Sequence, residues 1–293
     1  MQRAIVKNKA NAILTADWHL RESTPICRTD DFWQTQWNKV RFIAQLQAHH
    51  GCPVLNSGDL FDFWKPSPFV LQMALKEMPN QMHVVWGNHD LPQHNIDLQD
   101  KTGLKVLETA GAVTILPGTH WNQTPTMPSF TIEDRNILVY HIMTYQGKEP
   151  WPGCTDYKAA SLLRKYPEYD LIVTGDNHKA FVEEHQGRVL VNPGSIMRQG
   201  ADQIDFRPRV YLYFANTNTV TPVYLPITAD AVTRSHVENI EERNGRIDAF
   251  ISKLNDEWVR DLNFEDNLQR FFTINKIKPS VQGIINKALT HDN

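Results

Sequence analysis

Five apolar, β-branched runs in this chain each stop on side chains that bind cations or move protons. They read "ILTADWH" (13–19), "VLNSGD" (54–59), "VVWGNHD" (84–90), "ILVYH" (137–141) and "LIVTGDNH" (171–178). Short continuous apolar runs bounded by turn residues are the pattern of buried strands. Strands are accordingly predicted over 11–16, 53–57, 83–86, 112–116, 137–140 and 171–174, with helices over 31–49 and 68–76 between them. That alternation is the signature of an α/β sheet. Farther on, "VLVNPGS", "RVYLYFA" and "VTPVYLPI" are short strands separated by Asn, Gly and Thr turns, which a mixed sheet or two stacked sheets would accommodate.

Ligands of open α/β sheets bind beyond the carboxyl ends of the strands. If these strands are neighbours, Asp17, His19, Asp59, Asn88, His89, His141, Asp176 and His178 converge there. Singly, an Asp after a strand is a turn or cap residue, a lone histidine is ordinary, and Gly175 to Asn177 is a simple turn. The ordered set is not so easily dismissed. A turn also has uses for Gly87, Asn88 and Asp90 but none for the imidazole between them. The carboxylates of Asp17, Asp59 and Asp176, the imidazoles of His19, His141 and His178 and the amide of Asn88 suit divalent Mn, Fe, Zn or Mg. They are too many for one tetrahedral ion. Two ions roughly 3.5–4 Å apart, sharing a carboxylate, clamp the attacking and leaving oxygens of a phosphoester, which leaves His89 as the acid.

The motifs Asp-x-His (Asp17, His19), Gly-Asp-x-x-Asp (Gly58 to Asp62), Gly-Asn-His-Asp (Gly87 to Asp90), the lone His141 and Gly-x-x-His (Gly175 to His178) resemble those of the calcineurin-like metallophosphoesterases, in the same order. "VNPGSIMR" (191–198) resembles the segment after the last ligand. The resemblance implies a four-layer α/β/β/α sandwich of two mixed sheets. It also implies that Asp17, His19, Asp59 and His178 hold one metal, that Asp59, Asn88, His141 and position 176 hold a second, and that His89 protonates the leaving oxygen. Here Asp176 stands where the family usually has a histidine. A carboxylate there lowers the charge of the site by one and favours the harder ions Mn2+ or Mg2+; turned away, it would leave the second metal weak. Mn2+ is the first expectation, with Mg2+, Fe2+ and Zn2+ as alternatives. Asp62 is placed either to orient a histidine or to cap a helix.

"DWHL", "GDLFDFW", "GNHD" and a helical extension after the "VYLPI" strand resemble the Mre11/SbcD-type DNA nuclease branch. That branch implies a DNA substrate and, by analogy, a Rad50/SbcC-type ATPase partner. Rival readings are a phosphatase or phosphodiesterase for a small nucleotide or phosphoprotein, and a metal-binding scaffold with vestigial catalysis. A formal net charge of −3 offers no global case for nucleic acid. The loop 144–158 carries Tyr145, Trp151 and Tyr157, which stack on bases in one reading and pack as ordinary loop aromatics in the other. His49, His50, His94, His120, His185 and His236 fit no motif and read as surface or loop residues.

The pattern shifts near residue 229, dividing a catalytic domain (1–228) from a helical extension (229–293). Ile240, Ile247, Ile251, Leu254 and Trp258 share one helical face, and Val281, Ile284, Ile285 and Leu289 follow a helix start at Pro279 and Ser280. These helices lie on the core, cover the site or pair two subunits as a homodimer. Acidic and basic residues nearly balance after Asp230, so the extension is not a nucleic-acid arm. No run reaches signal-peptide or transmembrane character, so a cytoplasmic protein without membrane contact is expected. Cys27, Cys52 and Cys154 are odd in number and lack metal spacing, which makes them reduced bystanders.

Overall fold

The computed structural model describes residues 9–118, 127–257 and 263–289, in two compact units, 1–233 and 234–293. His120 and Trp258 lie outside the described residues. The strands are β1 (Ala12–Thr15), β2 (Val54–Asn56), β3 (Met82–Val84), β4 (Thr114–Ile115), β5 (Ser129–Ile132), β6 (Arg135–Tyr140), β7 (Thr144–Tyr145), β8 (Tyr157–Lys158), β9 (Leu171–Thr174), β10 (Phe181–His185), β11 (Arg188–Asn192), β12 (Arg209–Phe214) and β13 (Thr219–Tyr224). The helices of the first unit are α1 (Phe32–His50), α2 (Pro68–Glu77), α3 (Gly103–Thr109) and α4 (Ala159–Lys165).

Two mixed sheets result. One runs β13-β12-β1-β2-β3-β4 and the other β10-β11-β9-β6-β5, while β7 and β8 form a small separate pair. Strands β1 to β4 are mutually parallel, and β12 joins β1 antiparallel. In the second sheet β6, β9 and β11 are parallel. The inner faces pack Leu14, Leu55 and Val85 against Val139, Val173 and Val191. Helices α1, α2 and α3 cover the first sheet through Trp37, Ile43, Val70 and Leu104, and α4 covers the second through Leu162 and Leu163. This is the expected four-layer α/β/β/α sandwich. Each fully buried aliphatic side chain here contributes about 1.5–3 kcal/mol relative to exposure.

Local chemistry sets the helix ends. Asp31 accepts from the Gln34 N–H at 3.0 Å to start α1, and Gly51, at φ 66°, closes it by donating to Gln47 O. Such left-handed closure favours glycine. Helix α2 is capped by Ser67, which accepts from Val70 N–H. Asp62 therefore caps nothing, which corrects one of its two sequence readings.

Residues after β13 belong to the first unit through Val232, which bridges Arg28, and through the Thr233 N–H bond to Cys27 O. The second unit consists of α5 (Ser235–Glu257), α6 (Phe264–Ile274) and α7 (Pro279–Leu289). Its buried residues Leu268, Phe271 and Phe272 pack with Ile277 and Ile285. Among the described residues, no helix is long and apolar enough to cross a membrane.

Candidate metal centre

Backbone bonds fasten the strand-end loops to one another. Asp17 N–H donates to Gly58 O at 3.1 Å and His19 N–H to Asp59 O at 3.0 Å. Ser57 Oγ donates to Thr174 O at 2.7 Å, tying the first sheet to the second. The approach is close enough that a Cβ on Gly58 would fall 2.4 Å from His141 Nδ1, and one on Gly87 2.1 Å from Asp59 Oδ1. Asp17, His19, Asp59 and Asp176 all adopt left-handed backbone, with φ of 49°, 44°, 54° and 70°. For residues other than glycine this costs of order 1–3 kcal/mol each, less for Asp, and such strain gathers at functional sites.

The side chains gather as two overlapping groups: Asp17 with His19 and His178, and Asp17 with Asp59 and His141, each with ligand atoms within 4.8 Å of one another. Asp59 Oδ2 stands between them, 3.6 Å from His19 Nε2 and 3.5 Å from His141 Nε2. Asn88 Oδ1 lies 2.8 Å from His141 Nε2. Asp176 is at the rim, its side chain 39% exposed and its Oδ1 3.9 Å from His141 Nε2; its backbone N–H donates to Asp17 Oδ1. His178 is placed by "VNPGSIMR". Ser195 N–H donates to His178 O, and Asn192 Nδ2 donates to the carbonyls of Asn177 and Lys179.

His89 sits on the other side of His19, in a third group with Asp62. Its Nδ1 is 2.7 Å from the backbone carbonyl of Asp62. A carbonyl only accepts, so Nδ1 carries a proton and Nε2 is turned free for chemistry. Orientation of the histidine thus comes from the main chain of Asp62. The carboxylate goes to Arg21 Nη1 at 3.1 Å and stands 3.8 Å from His19 Nδ1.

Two roles were not foreseen in the sequence. The Asp90 carboxylate accepts from Gly87, Leu60 and Phe61 N–H at 3.1–3.2 Å, holding the loops after β2 and β3 together. Its place beside Asn88 and His89 in one motif was the available signal. Arg21 links the loop after β1 to Asp62 and to Gln199, and nothing in its local sequence announces that.

The electrostatics call for a cation. Burial raises Asp17 to about 8 and Asp59 to about 7; the His141 and His89 rings respectively work against the rise, while neighbouring carboxylates add to it. Burial raises Asp90 to about 7 as well, with Asp59 adding and three N–H donors opposing. Burial and the His178 ring drive His19 far down. Burial also opposes the charged form of His89, but Asp59 and the carbonyl and carboxylate of Asp62 outweigh it and raise its pKa.

The donor set fits divalent metal. Asp17 Oδ2 is buried without a hydrogen-bond partner, and the Nε2 atoms of His19 and His178 face each other at 3.0 Å. His141 Nδ1 lies 2.7 Å from Ser57 O, which leaves the Nε2 lone pair facing inward. Turned over, the Asn88 amide would donate to that Nε2 and to Asp59 Oδ2 at 3.1 Å; with Oδ1 inward, amide oxygen and imidazole nitrogen converge as two ligands do. A divalent cation would stabilise such converging lone pairs and buried carboxylates.

Among curated proteins none matches the chain. Similar solved structures include an archaeal phosphodiesterase (15% identity, TM-score 0.43, 73% of this chain and 99% of that one). Vps29 from Entamoeba histolytica, crystallised with Zn2+, is similar at 15% identity and a TM-score of 0.35, over 73% and 97%. A putative 5'-nucleotidase from Staphylococcus aureus shows 11% identity and a TM-score of 0.45, over 76% of this chain and 54% of that one. These similarities carry no argument about substrate. The model of the calcineurin-like phosphoesterase superfamily domain, by contrast, matches residues 13–207, more than half the chain and every strand-end motif described above. This chain belongs to the calcineurin-like phosphoesterase superfamily.

Proposed function

We propose that the chain is a metal-dependent phosphodiesterase with a polynucleotide substrate, a DNA nuclease of the Mre11/SbcD type. The observation that carries the phosphodiesterase reading is Asp59 Oδ2, at 3.5–3.6 Å from ring nitrogens of both histidine-bearing groups, which suits a carboxylate shared by two ions. Asp17, His19, Asp59 and His178 would hold the first, and Asp59, Asn88, His141 and the rim carboxylate Asp176 the second. Mn2+ is the ion favoured by the added carboxylate. When bound, such a pair lowers the pKa of water and polarises the phosphoryl oxygens.

The protein's own groups supply the rest. Asp90 and the carbonyl of Asp62 hold the loop and ring so that His89 Nε2 faces the site. Burial opposes the charged ring of His89, but Asp59 and the carbonyl and carboxylate of Asp62 favour it, and the protonated ring would give its proton to the leaving oxygen as the P–O bond breaks. Such general-acid help is worth roughly 10²–10⁴-fold.

Support for a strand as substrate comes from the loop after His141. A cavity of about 580 Å3 there is lined by Tyr145, Trp151, Lys148, Lys158 and Glu149, an aromatic surface with two cations against one carboxylate, which suits stacking of a single strand. Tyr157 does not join it: its hydroxyl accepts from Lys165 Nζ at 2.8 Å and its ring packs toward α4. The test is Mn2+-dependent hydrolysis of labelled single- and double-stranded DNA beside bis(4-nitrophenyl) phosphate, with His89→Ala as control. Cleavage of DNA lost in the variant supports the nuclease. Aryl-diester turnover without DNA cleavage moves the substrate to a small nucleotide, and silence on both returns the vestigial scaffold.

A further inference from the structure

A second cavity, of about 330 Å3, opens beside His89 and has no part in the account so far. It is lined by Phe63, Trp64, Leu91 and His94 together with Asn88 and His89. Phe63 is 55% exposed, so its ring contributes little to the core. It lies 5.3 Å from the Trp64 ring, tilted at 46°, and Trp64 is itself anchored by its carbonyl, which accepts from Gly103 N–H at 2.8 Å. The rest of the lining is polar and includes Asp62, Gln93 and His94. Gln93 and His94 are held there at φ 53° and 55°, left-handed conformations that are costly for such residues and cluster at ligand sites. An apolar wall facing a few polar groups is how small-molecule subsites are built.

The position of the cavity decides its occupant. A group that protonates the leaving oxygen must stand on the leaving-group side of the phosphorus, and His89 lines this cavity. When a nucleic-acid diester is cut, the leaving group is a nucleoside, and its one flat apolar body is the base. We propose that the cavity is the leaving-group subsite and that it takes a nucleobase, stacked on Phe63 with Gln93 and His94 at the polar edge of the ring. The proposal rests on the phosphodiesterase reading and narrows it. Because every base has a π-face, a stacking subsite accepts all four with modest preference, so the enzyme would cut without strict sequence choice.

The test compares dinucleotides that differ only in whether one nucleoside carries its base or is abasic, each side in turn, with the full chain and Mn2+. Removing the base on the leaving side should lower kcat/KM about 5- to 150-fold, the range for one base–aromatic stack. Phe63→Ala should abolish that difference and Phe63→Trp should keep it. Equilibrium binding of the same dinucleotides to the His89→Ala protein, by calorimetry, gives a readout independent of turnover. The based dinucleotide should bind more tightly there, and Phe63→Ala in that background should remove its advantage. Equal affinities for based and abasic dinucleotides overturn the subsite. So does a preference that survives Phe63→Ala. If neither dinucleotides nor the aryl diester are hydrolysed, the phosphodiesterase reading falls while the binding comparison still decides whether Phe63 holds a base.

Discussion

His89 is oriented by the main chain of Asp62, and this separates the expected effects of two neighbouring substitutions. His89→Ala removes the proton donor, so kcat on a diester with an alkoxide leaving group should fall about 10²–10⁴-fold. Bis(4-nitrophenyl) phosphate, whose leaving group needs little protonation, should lose much less. Asp62→Asn keeps the carbonyl and should cost well under the His89→Ala loss; equal losses in steady-state assays would show that the carboxylate does the orienting. Another buried ionisable group lies away from the metal centre. Lys39 donates to Ile196 O at 2.7 Å, and burial, with Arg28 and Arg198 nearby, lowers it to about 7. The folded chain thus releases this proton near pH 7 and the unfolded chain near 10.5. Unfolding therefore takes up a proton between these values, and stability gains from Lys39 as pH rises through that window. Relative to a Lys39→Met variant, the wild type should become progressively more stable from pH 7 to 10 in urea titrations. At this scale the ligand types were legible because metals and proton transfer demand particular side chains. Asp90, Arg21 and the Asp62 carbonyl were not, since their work depends on which loops meet.

The segment "VNPGSIMR" shows how an element without ligands shapes the site. Gly194 has φ 70°, and a Cβ there would fall 2.6 Å from His178 O and 2.8 Å from Ala180 N. Gly194→Ala should cost about 1–3 kcal/mol in stability and weaken Mn2+ binding by displacing His178, both measurable by calorimetry. A loss of stability with unchanged metal affinity would show that the loop does not position the ligand. Elements with continuous apolar runs, β1, β2, β6 and β9, were legible because strands buried on both faces have no polar alternation to confuse them. The pattern concealed β10, whose "FVEEH" has no fully buried residue, and β5, whose half-exposed "SFTI" exists by pairing with β6 across a tight turn. Short helices such as α4 escaped because seven residues barely complete two turns of any periodicity.

The two compact units differ in how they finish their surfaces. The first closes its cores between layers, whereas α5 and α7 of the second expose Ile240, Ile247, Val281, Ile284 and Leu289. Periodicity could show such an apolar face but not what covers it. A chain ending at Thr233 should fold cooperatively and retain metal binding, because every candidate ligand and the bonds described around it lie within the first unit; an unfolded product by circular dichroism would contradict this. Alternation pointed only to an α/β sheet and the resemblance carried by the strand-end motifs implied the four layers, while the joining of the layers through Ser57 and Thr174 was not legible. The central claim is that these loops hold two ions through a shared carboxylate. The most direct measurement is metal content after dialysis against Mn2+, by inductively coupled plasma mass spectrometry, for the wild type and Asp59→Asn. Two ions per wild-type chain and at most one in the variant are expected, whereas a single ion in the wild type, or two retained without the Asp59 carboxylate, would contradict the account.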